Sequence, residues 1–266
     1  MIANIRFAWV MLVATMLLLV LIPVHLIGLL LARFGSTWLA GQIPALFHRL
    51  LLKIFGVSLR LQGRLVQDRP LLLVANHVSW LDIVVFGAVA PLCFVAKSEM
   101  REWPIFGSLA KLQRTVFVRR EDRRSSHQQA NEIADRLTAR EVMVLFPEGT
   151  TTDGNRLEPF KTSLFEAAKI ALKKSPVETA VVQPAAIEYT HLHGLPLGRA
   201  KRPHVAWPGE LGLPESFVPL VKIGALDVTI RLGEPIILTE TCNRKIIARD
   251  ATESIRTMLD SSRTGS

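Results

Sequence analysis

Cysteine is almost absent from this chain, and with it the cross-links that stabilise many small secreted proteins. Cys93 and Cys242 are the two cysteines among 266 residues, which is too few for a disulfide framework and gives no metal-binding spacing. We interpret both as small buried hydrophobic residues in a reducing compartment. The chain also lacks the Gly-x-Ser-x-Gly turn that carries the nucleophile of many hydrolases. Neither a cysteine nor a serine nucleophile is therefore indicated.

Acidic residues are scarce relative to basic ones. The chain has 23 Asp and Glu against 32 Lys and Arg, a formal net charge of +9. A basic surface suits nucleic acid, anionic lipid or an acidic protein partner. The sequence shows no nucleic-acid-binding motif, whereas the hydrophobic content of 49% and the mean hydropathy of +0.30 exceed what a soluble domain needs. This composition favours a membrane-associated protein.

Charge is missing altogether from residues 7–32, which contain no Lys, Arg, Asp or Glu. As a helix this stretch would extend about 39 Å, more than the roughly 30 Å of a bilayer core. We therefore predict a hydrophobic membrane anchor over residues 1–34. It either spans the bilayer or, broken at Pro23 and Gly28, lies as two shorter helices in one leaflet. Basic residues are denser after the anchor than before it, which predicts that the remainder of the chain faces the cytoplasm.

The segment that follows the anchor, residues 35–56, is predicted to be an amphipathic connecting helix that lies on a membrane or packs on the next domain. Residues 57–260 then alternate short apolar runs with amphipathic stretches. This alternation predicts one α/β domain with a central, mostly parallel sheet flanked by helices, followed by a frayed tail over 261–266. Pro184 interrupts one apolar run and suggests an edge strand or a local break. Ser163 and Glu166 have the spacing of a helix capping box.

One stretch, Leu71 to Asp82, combines a buried strand with polar residues. The apolar run Leu71–Ala75 ends at Asn76 and His77, and a helical pattern follows. His77 therefore lies at the carboxyl end of a strand, where open α/β sheets bind their ligands. Asp82 is five residues further on, close enough to hold one imidazole nitrogen while the other faces a substrate. The pair predicts that His77 is a general base oriented by Asp82.

Four blocks of sequence in a fixed order resemble the glycerolipid acyltransferases, the family that includes the 1-acylglycerol-3-phosphate acyltransferases. NHVSWLD at 76–82 resembles the NHxxxxD block of the family. TVFVRR at 115–120, FPEGT at 146–150 and VVQP at 181–184 resemble its second, third and fourth blocks. The resemblance extends over about residues 57–233. It implies a single acyltransferase domain that moves an acyl group from a thioester to the hydroxyl of a membrane lysolipid.

The resemblance also implies the roles of individual residues. His77 and Asp82 become the catalytic pair, and the acceptor-binding residues are Arg120, Glu148, Gly149 and Thr150. Backbone N–H groups near Gly149 are candidate donors to an oxyanion. No cofactor or metal is expected, and the acyl donor is acyl-carrier protein or acyl-CoA. The expected location is the bacterial inner membrane, with the catalytic domain in the cytoplasm.

The identity of the acceptor depends on a departure from the family pattern. Thr151 stands where the common form of the third block has an arginine that would hold a phosphate. FPEGTTTDGNRLEPFKTSLF, with QPAAIEYTHLHGLPLGR after it, looks more like the branch that contains lyso-ornithine lipid acyltransferases, whose acceptor has no phosphate. Lysophosphatidic acid remains the alternative because Arg156 could reach a phosphate. A membrane thioester hydrolase and a non-catalytic basic adaptor are more remote alternatives.

Overall fold

The computed structural model describes residues 1–119, 126–174, 178–208 and 212–264. Its α-helices are α1 (Ile2–Ala32), α2 (Trp38–Phe55), α3 (Leu81–Val89), α4 (Phe106–Leu112), α5 (Ser126–Thr138), α6 (Glu166–Lys174), α7 (Leu213–Ile223) and α8 (Arg244–Thr264). Its strands are β1 (Val57–Gln62), β2 (Leu71–Ala75), β3 (Cys93–Lys97), β4 (Val116–Val118), β5 (Val142–Leu145), β6 (Ala180–Leu192), β7 (Leu195–Pro196), β8 (Leu226–Leu232) and β9 (Ile236–Leu238). Short 3-10 turns follow β3 and precede α6.

In the part of the chain that the structure describes, nine strands form one sheet in the order β1-β8-β6-β2-β5-β3-β4, with β7 and β9 also paired to β6. The pairs of β2 with β5 and β6, of β3 with β4 and β5, and of β1 with β8 are parallel. The pairs of β6 with β7, β8 and β9 are antiparallel. The predicted α/β fold with a mostly parallel central sheet is therefore confirmed.

Helices cover both faces of the sheet, and this explains why β2 is an uninterrupted apolar run. Side chains alternate across a strand, so Leu71 and Leu73 pack into one core while Leu72 and Val74 pack into the other. The first core includes residues of α1, α2, α3 and α7, and the second includes residues of α5, α6 and α8. The anchor region therefore lies on the same side of the sheet as α3.

Helix α1 packs on the domain near both of its ends. Near its start, Arg6 donates to the carbonyl of Phe55 (2.7 Å) and to that of Val221 (3.1 Å). These carbonyls lie in the last turns of α2 and α7, where the helices leave them unpaired. Towards the other end, Gly28 lets α1 approach α2, because a Cβ there would lie 2.9 Å from Leu39 Cβ. The helix continues through Pro23 and Gly28, so it is not divided into the two shorter helices that the sequence left as an alternative.

Pro184 lies in an interior strand, so the prediction of an edge strand was wrong. β6 runs between β2 and β8, and Pro184 is aligned with Val74 of β2. On its other side, β9 pairs with residues 180–182 and β8 with residues 185–192. The Pro184 carbonyl accepts the N–H of Gly233 at 2.8 Å in the gap between them. The N–H and C=O groups of a strand residue point to the same side of the strand. The position where proline lacks an N–H therefore faces the same gap. A local break on one side thus accommodates the proline.

Two predicted helix boundaries were also wrong. Ser163 lies within the 3-10 turn Thr162–Phe165, and α6 begins at Glu166. Glu166 instead pairs with Arg244 of α8, at 3.0 Å. At the end of the chain, α8 continues to Thr264, through residues that were predicted to fray. Residues 265–266 lie outside the described part.

Candidate active site

His77 lies in the turn between β2 and α3, where its imidazole meets the carboxylate of Asp82. Nδ1 is 2.7 Å from Asp82 Oδ2, so Nδ1 carries the proton and Nε2 is left as an acceptor. The ring stacks on Phe146, with centroids 4.0 Å apart and planes inclined by 14°. The side chain retains 15% exposure. The imidazole is therefore held in one orientation with a nitrogen available to accept a proton.

Asp82 is fully buried in the first turn of α3. Besides the imidazole, Oδ2 accepts the backbone N–H groups of Val78 (2.7 Å) and Ser79 (3.0 Å). Oδ1 accepts the hydroxyl of Tyr189 at 2.6 Å. Burial, followed by the neighbouring Asp82 charge, raises the pKa of Tyr189 well above its usual value, so the phenol remains a donor. Four hydrogen bonds thus position the carboxylate that orients His77.

Glu148 lies in direct contact with the main chain of the turn that carries His77. Oε1 accepts the backbone N–H of His77 at 2.7 Å, and Oε2 accepts that of Glu158 at 2.8 Å. The side chain is 4% exposed. Burial raises the pKa of Glu148 to about 7, although both backbone N–H groups act in the opposite direction. Glu148 was predicted to bind the acceptor, but its carboxylate is directed at the backbone that holds His77.

Gly149 adopts φ of +78°, which favours glycine. A Cβ at this position would lie 2.7 Å from Lys161 Nζ, so the lysine side chain crosses directly over it. The Gly149 N–H donates to the Phe146 carbonyl at 3.2 Å. This N–H is therefore engaged in the turn, so the expectation that N–H groups near Gly149 donate to an oxyanion does not extend to Gly149 itself.

The remaining predicted acceptor residues differ in what the structure shows of them. Thr150 and Thr151 line the cavity next to His77, and the Thr151 hydroxyl donates to the Trp207 carbonyl. Arg156 is exposed in the loop after β5. Arg120 lies outside the described residues. Within the described ranges, no group of three or more His, Cys, Asp or Glu side chains is arranged to hold a metal ion.

A cavity of about 620 Å³ opens beside His77. This volume lies within the range of about 300–1,000 Å³ that is usual for small-molecule sites. Its wall is formed by α1, α2, the start of α3, β3, α4 and the start of α7, and it is mostly apolar. The charged side chains of the wall are Lys97 and Glu99. A pocket of this size and character can hold a long hydrocarbon chain with one end at the imidazole.

An apolar surface on α1 faces away from the domain. This helix of 31 residues is long and apolar enough to cross a membrane. Most of its large hydrophobic side chains are exposed, among them Ile5, Trp9, Leu12, Leu19 and Leu30. Because a soluble protein rarely exposes so large an apolar surface, the surface indicates contact with lipid.

Two side chains that complete the site were not predicted from the sequence. Phe146 was included in a motif but was given no role, and Tyr189 was not considered. Tyr189 is the single tyrosine of the chain and lies in a long apolar strand, where a buried hydroxyl needs a partner. That isolated hydroxyl was the available signal. Its partner, Asp82, could not be identified because the two residues are 107 positions apart.

The fold and this site define an acyltransferase. Residues 57–188 match the family model described as acyltransferase. Two relatives are 46% identical to the chain, and both are lyso-ornithine lipid O-acyltransferases. The one from Brucella abortus (strain 2308) aligns over 100% of this chain and 98% of its own length, and the one from Rhizobium meliloti (strain 1021) over 97% and 87%. The chain therefore belongs to the acyltransferase family, as the four sequence blocks predicted.

More distant proteins agree with this assignment. The 1-acyl-sn-glycerol-3-phosphate acyltransferase of Neisseria gonorrhoeae is 32% identical over 74% of this chain and 73% of its own. The crystal structure of the 1-acyl-sn-glycerophosphate (LPA) acyltransferase from Thermotoga maritima superposes with a TM-score of 0.67, at 17% identity and over 98% of each chain. At that identity the likeness establishes the fold alone.

Proposed function

We propose that this protein is an O-acyltransferase that moves a fatty acyl group from a thioester to the free hydroxyl of lyso-ornithine lipid. The observation that carries the proposal is the His77–Asp82 pair, which opens onto a long apolar cavity of about 620 Å³. The alternative of a thioester hydrolase differs in its acyl acceptor, because a hydrolase would use the same pair on water and would turn over the thioester without a lysolipid. A non-catalytic adaptor would not need an oriented imidazole beside a lipid-sized cavity.

The reaction follows from the orientation of His77. The acyl chain of the donor occupies the cavity, which brings its thioester carbonyl to the imidazole. Nε2 removes the proton of the acceptor hydroxyl as the hydroxyl oxygen attacks that carbonyl and forms the new C–O bond. The C–S bond then breaks, and the proton passes from Nε2 to the departing sulfur. Asp82 stabilises the imidazolium that forms between these steps.

Neither cysteine is placed to form an acyl-enzyme. Cys93 is on β3, where burial raises the pKa of its thiol to about 12, and Cys242 is on the loop between β9 and α8. The thiolate is the nucleophilic form of cysteine, and this raised pKa disfavours it at Cys93. Direct transfer from donor to acceptor is the simpler route.

The choice of acceptor rests on Thr151 and on the relatives. An arginine at this position would provide a charge for a phosphate. The hydroxyl of Thr151 provides none and is already bonded to the Trp207 carbonyl. The two relatives of 46% identity carry the name of lyso-ornithine lipid acyltransferases. Lysophosphatidic acid is the second candidate, because the Neisseria gonorrhoeae relative carries that activity in its name and Arg156 is exposed in the loop after β5.

The enzyme works at the cytoplasmic face of the bacterial inner membrane, with α1 in the plane of the interface. Arg6 bonds to the ends of α2 and α7, and His25 Nε2 lies 3.0 Å from the Leu112 carbonyl at the end of α4. These two residues are about 28 Å apart along the helix, so α1 runs along the domain and does not leave it. Its exposed apolar side then inserts into one leaflet. This position explains how a lipid acceptor reaches His77.

The donor is an acyl thioester of acyl-carrier protein or of coenzyme A. Both are anionic, so the net charge of +9 favours either through long-range attraction.

The proposal is tested by offering both lysolipids to the membrane-embedded enzyme with labelled acyl-carrier protein. The His77→Ala variant serves as the blank. We expect label in the ornithine lipid and little in phosphatidic acid. Efficient labelling of phosphatidic acid with none of the ornithine lipid would contradict the choice of acceptor. Release of free fatty acid without any acceptor would instead identify a thioester hydrolase.

A further inference from the structure

Tyr189 contacts the His77–Asp82 pair without reaching the cavity. Its hydroxyl donates to Asp82 Oδ1 at 2.6 Å, while the other carboxylate oxygen, Oδ2, is 2.7 Å from His77 Nδ1. Tyr189 is 4% exposed, and the described wall of the cavity includes His77 but not Tyr189. Tyr189 can therefore act on a substrate in the cavity only through its neighbours.

The strand that carries Tyr189 is fixed beside the turn that carries His77. The side chain of Asn76 donates to the Ile187 carbonyl at 3.0 Å and accepts the Ile187 N–H at 2.8 Å. Tyr189 is two residues further along β6, so its side chain lies on the same face of the sheet as that of Ile187. Both pack in the core that includes residues of α3. The phenol is thus held in place by its own strand as well as by Asp82.

The phenol alters the distribution of charge on the carboxylate of Asp82. A hydrogen bond to an ionised group is stronger than one between neutral groups, and exclusion of water strengthens it further. Burial, followed by the charge of Asp82, raises the pKa of Tyr189 well above its usual value, so the phenol keeps its proton. Its O–H draws negative charge towards Oδ1 and away from Oδ2. The carboxylate therefore stabilises an imidazolium at His77 less than it would without this donor.

Other titratable groups face His77 from different elements. Glu148, in the loop after β5, accepts the His77 N–H, and burial raises the pKa of Glu148 to about 7. The wall of the cavity adds Lys97, Glu99, His25 and His48. The charge of Asp82 also acts on Glu148, but this charge is the same whether or not the phenol donates. A change confined to Tyr189 therefore separates the effect of the phenol from these groups.

We propose that Tyr189 is a positioning residue whose hydrogen bond to Asp82 sets the basicity of the His77 imidazole. The inference rests on the proposed function, because it takes His77 to be the base. The phenol keeps its proton throughout, while the transferred proton moves from the acceptor hydroxyl to Nε2 and then to the departing sulfur. A stronger donor at position 189 makes the imidazole less basic, and loss of the donor makes it more basic.

Tyr189 is the single tyrosine of the chain, so fluorotyrosine supplied during growth enters at this position alone. Fluorination of the ring makes the phenol a stronger donor with little change in shape. Acyl transfer to lyso-ornithine lipid in nanodiscs gives the pH dependence of kcat, whose midpoint reports protonation of the base. We expect mono- and then difluorotyrosine to move this midpoint to progressively lower pH. Tyr189→Phe should move it to higher pH by about 0.5–1 unit, which corresponds to an ordinary hydrogen bond.

The fluorine atom also reports the titration without any substrate. Its NMR signal should shift over the pH range in which His77 is protonated, and His77→Ala should remove that shift. Tyr189→Phe protein grown on fluorotyrosine is the matched control, because no fluorine can then enter the chain. Its midpoint should equal that of Tyr189→Phe protein grown without fluorotyrosine.

A purely structural role for Tyr189 would lower kcat in Tyr189→Phe but leave the fluorinated proteins with the wild-type midpoint. That result, a midpoint that moves in the opposite direction, or a fluorine titration unchanged by His77→Ala would each overturn the inference. If Tyr189→Phe does not fold, the fluorinated proteins decide, since they keep the hydroxyl. Absence of acyl transfer by every protein, the wild type included, together with a fluorine titration that depends on His77, would contradict the proposed function and support the inference.

Discussion

Three different residues hold His77: one contacts its ring, one its Nδ1 atom and one its backbone N–H. Phe146 stacks on the ring, Asp82 binds Nδ1 and Glu148 accepts the N–H. The two acidic residues therefore have separate tasks, since Asp82 orients the His77 imidazole and Glu148 fixes the turn that carries it. Neither task requires contact with the substrate.

Removing the imidazole should abolish proton transfer without disturbing the fold. Because general bases contribute about 10²–10⁴-fold, we expect His77→Ala to lower kcat by that factor. Asp82→Asn should also lower it, because an amide cannot accept all four hydrogen bonds that now converge on the carboxylate. Acyl transfer by the purified variants measures the effect, with thermal unfolding as the control for His77→Ala. Near-normal turnover of a folded His77→Ala protein would remove His77 from the mechanism.

The raised pKa of Glu148 has a consequence for stability. Its pKa is about 7 in the folded protein against an ordinary value of 4.5, so the folded state binds more protons than the unfolded state between these values. Stability from this group therefore falls as pH rises from about 4.5 to about 7. The loss is up to about 3 kcal/mol, at 1.36 kcal/mol for each pKa unit.

Comparison with Glu148→Gln isolates this effect, because the other titrating groups are common to both proteins. We expect the stability of the wild type relative to the variant to decrease between about pH 5 and pH 8. Urea unfolding in one detergent at both pH values measures the difference. A stability difference that is independent of pH, or that increases towards pH 8, would show that Glu148 does not titrate in this window.

At the scale of elements, α1 and α2 are packed through a glycine. A Cβ at Gly28 would lie 2.9 Å from Leu39 Cβ and 3.0 Å from the backbone nitrogen of Ala40. Backbone atoms cannot move aside as a flexible side chain can. The two helices would have to separate, and both contribute to the wall of the cavity.

Gly28→Ala should therefore destabilise the protein by about 1–3 kcal/mol, which is typical of overpacking. It should also lower transfer of long acyl chains, because the wall of the cavity shifts. Gly198→Ala is the matched control, since a Cβ at Gly198 meets nothing within 4 Å. Thermal unfolding and acyl transfer of the two variants give the comparison. Equal stability of both would mean that α1 and α2 are not closely packed at this point.

Local pattern predicted much of the fold because apolar runs and helical spacing are properties of short segments. The bounds of β2 followed from such a pattern, as did the pairing of His77 with Asp82 five residues away. The surroundings of Pro184 could not be predicted, since they depend on where β8 and β9 stop along β6. Tyr189 reaches Asp82 for a similar reason, because the parallel register of β2 with β6 brings distant residues together. Sequence spacing carries no information about that register.

At the scale of the whole molecule, the function depends on how α1 meets the membrane. A spanning helix would put the two ends of α1 on opposite sides of the bilayer. The contacts of Arg6 and His25 with the globular domain support our proposal that both ends stay on the side of the domain. An interfacial helix also forms part of the wall of the acyl cavity, so its removal would affect catalysis as well as membrane residence. Simple truncation therefore cannot separate the two arrangements.

Cysteine labelling can separate them, because the chain has few competing thiols. Burial raises the pKa of Cys93 to about 12, which disfavours its thiolate, and Cys242→Ser removes the other thiol. Single cysteines at Asn4 and Ser36, which are exposed polar residues, mark the two ends of α1. A membrane-impermeant maleimide should label neither position in intact spheroplasts and both in inverted membrane vesicles or after detergent solubilisation. Labelling of position 4 alone from the periplasmic side would establish a spanning helix, and the cavity wall formed by α1 would then need another explanation.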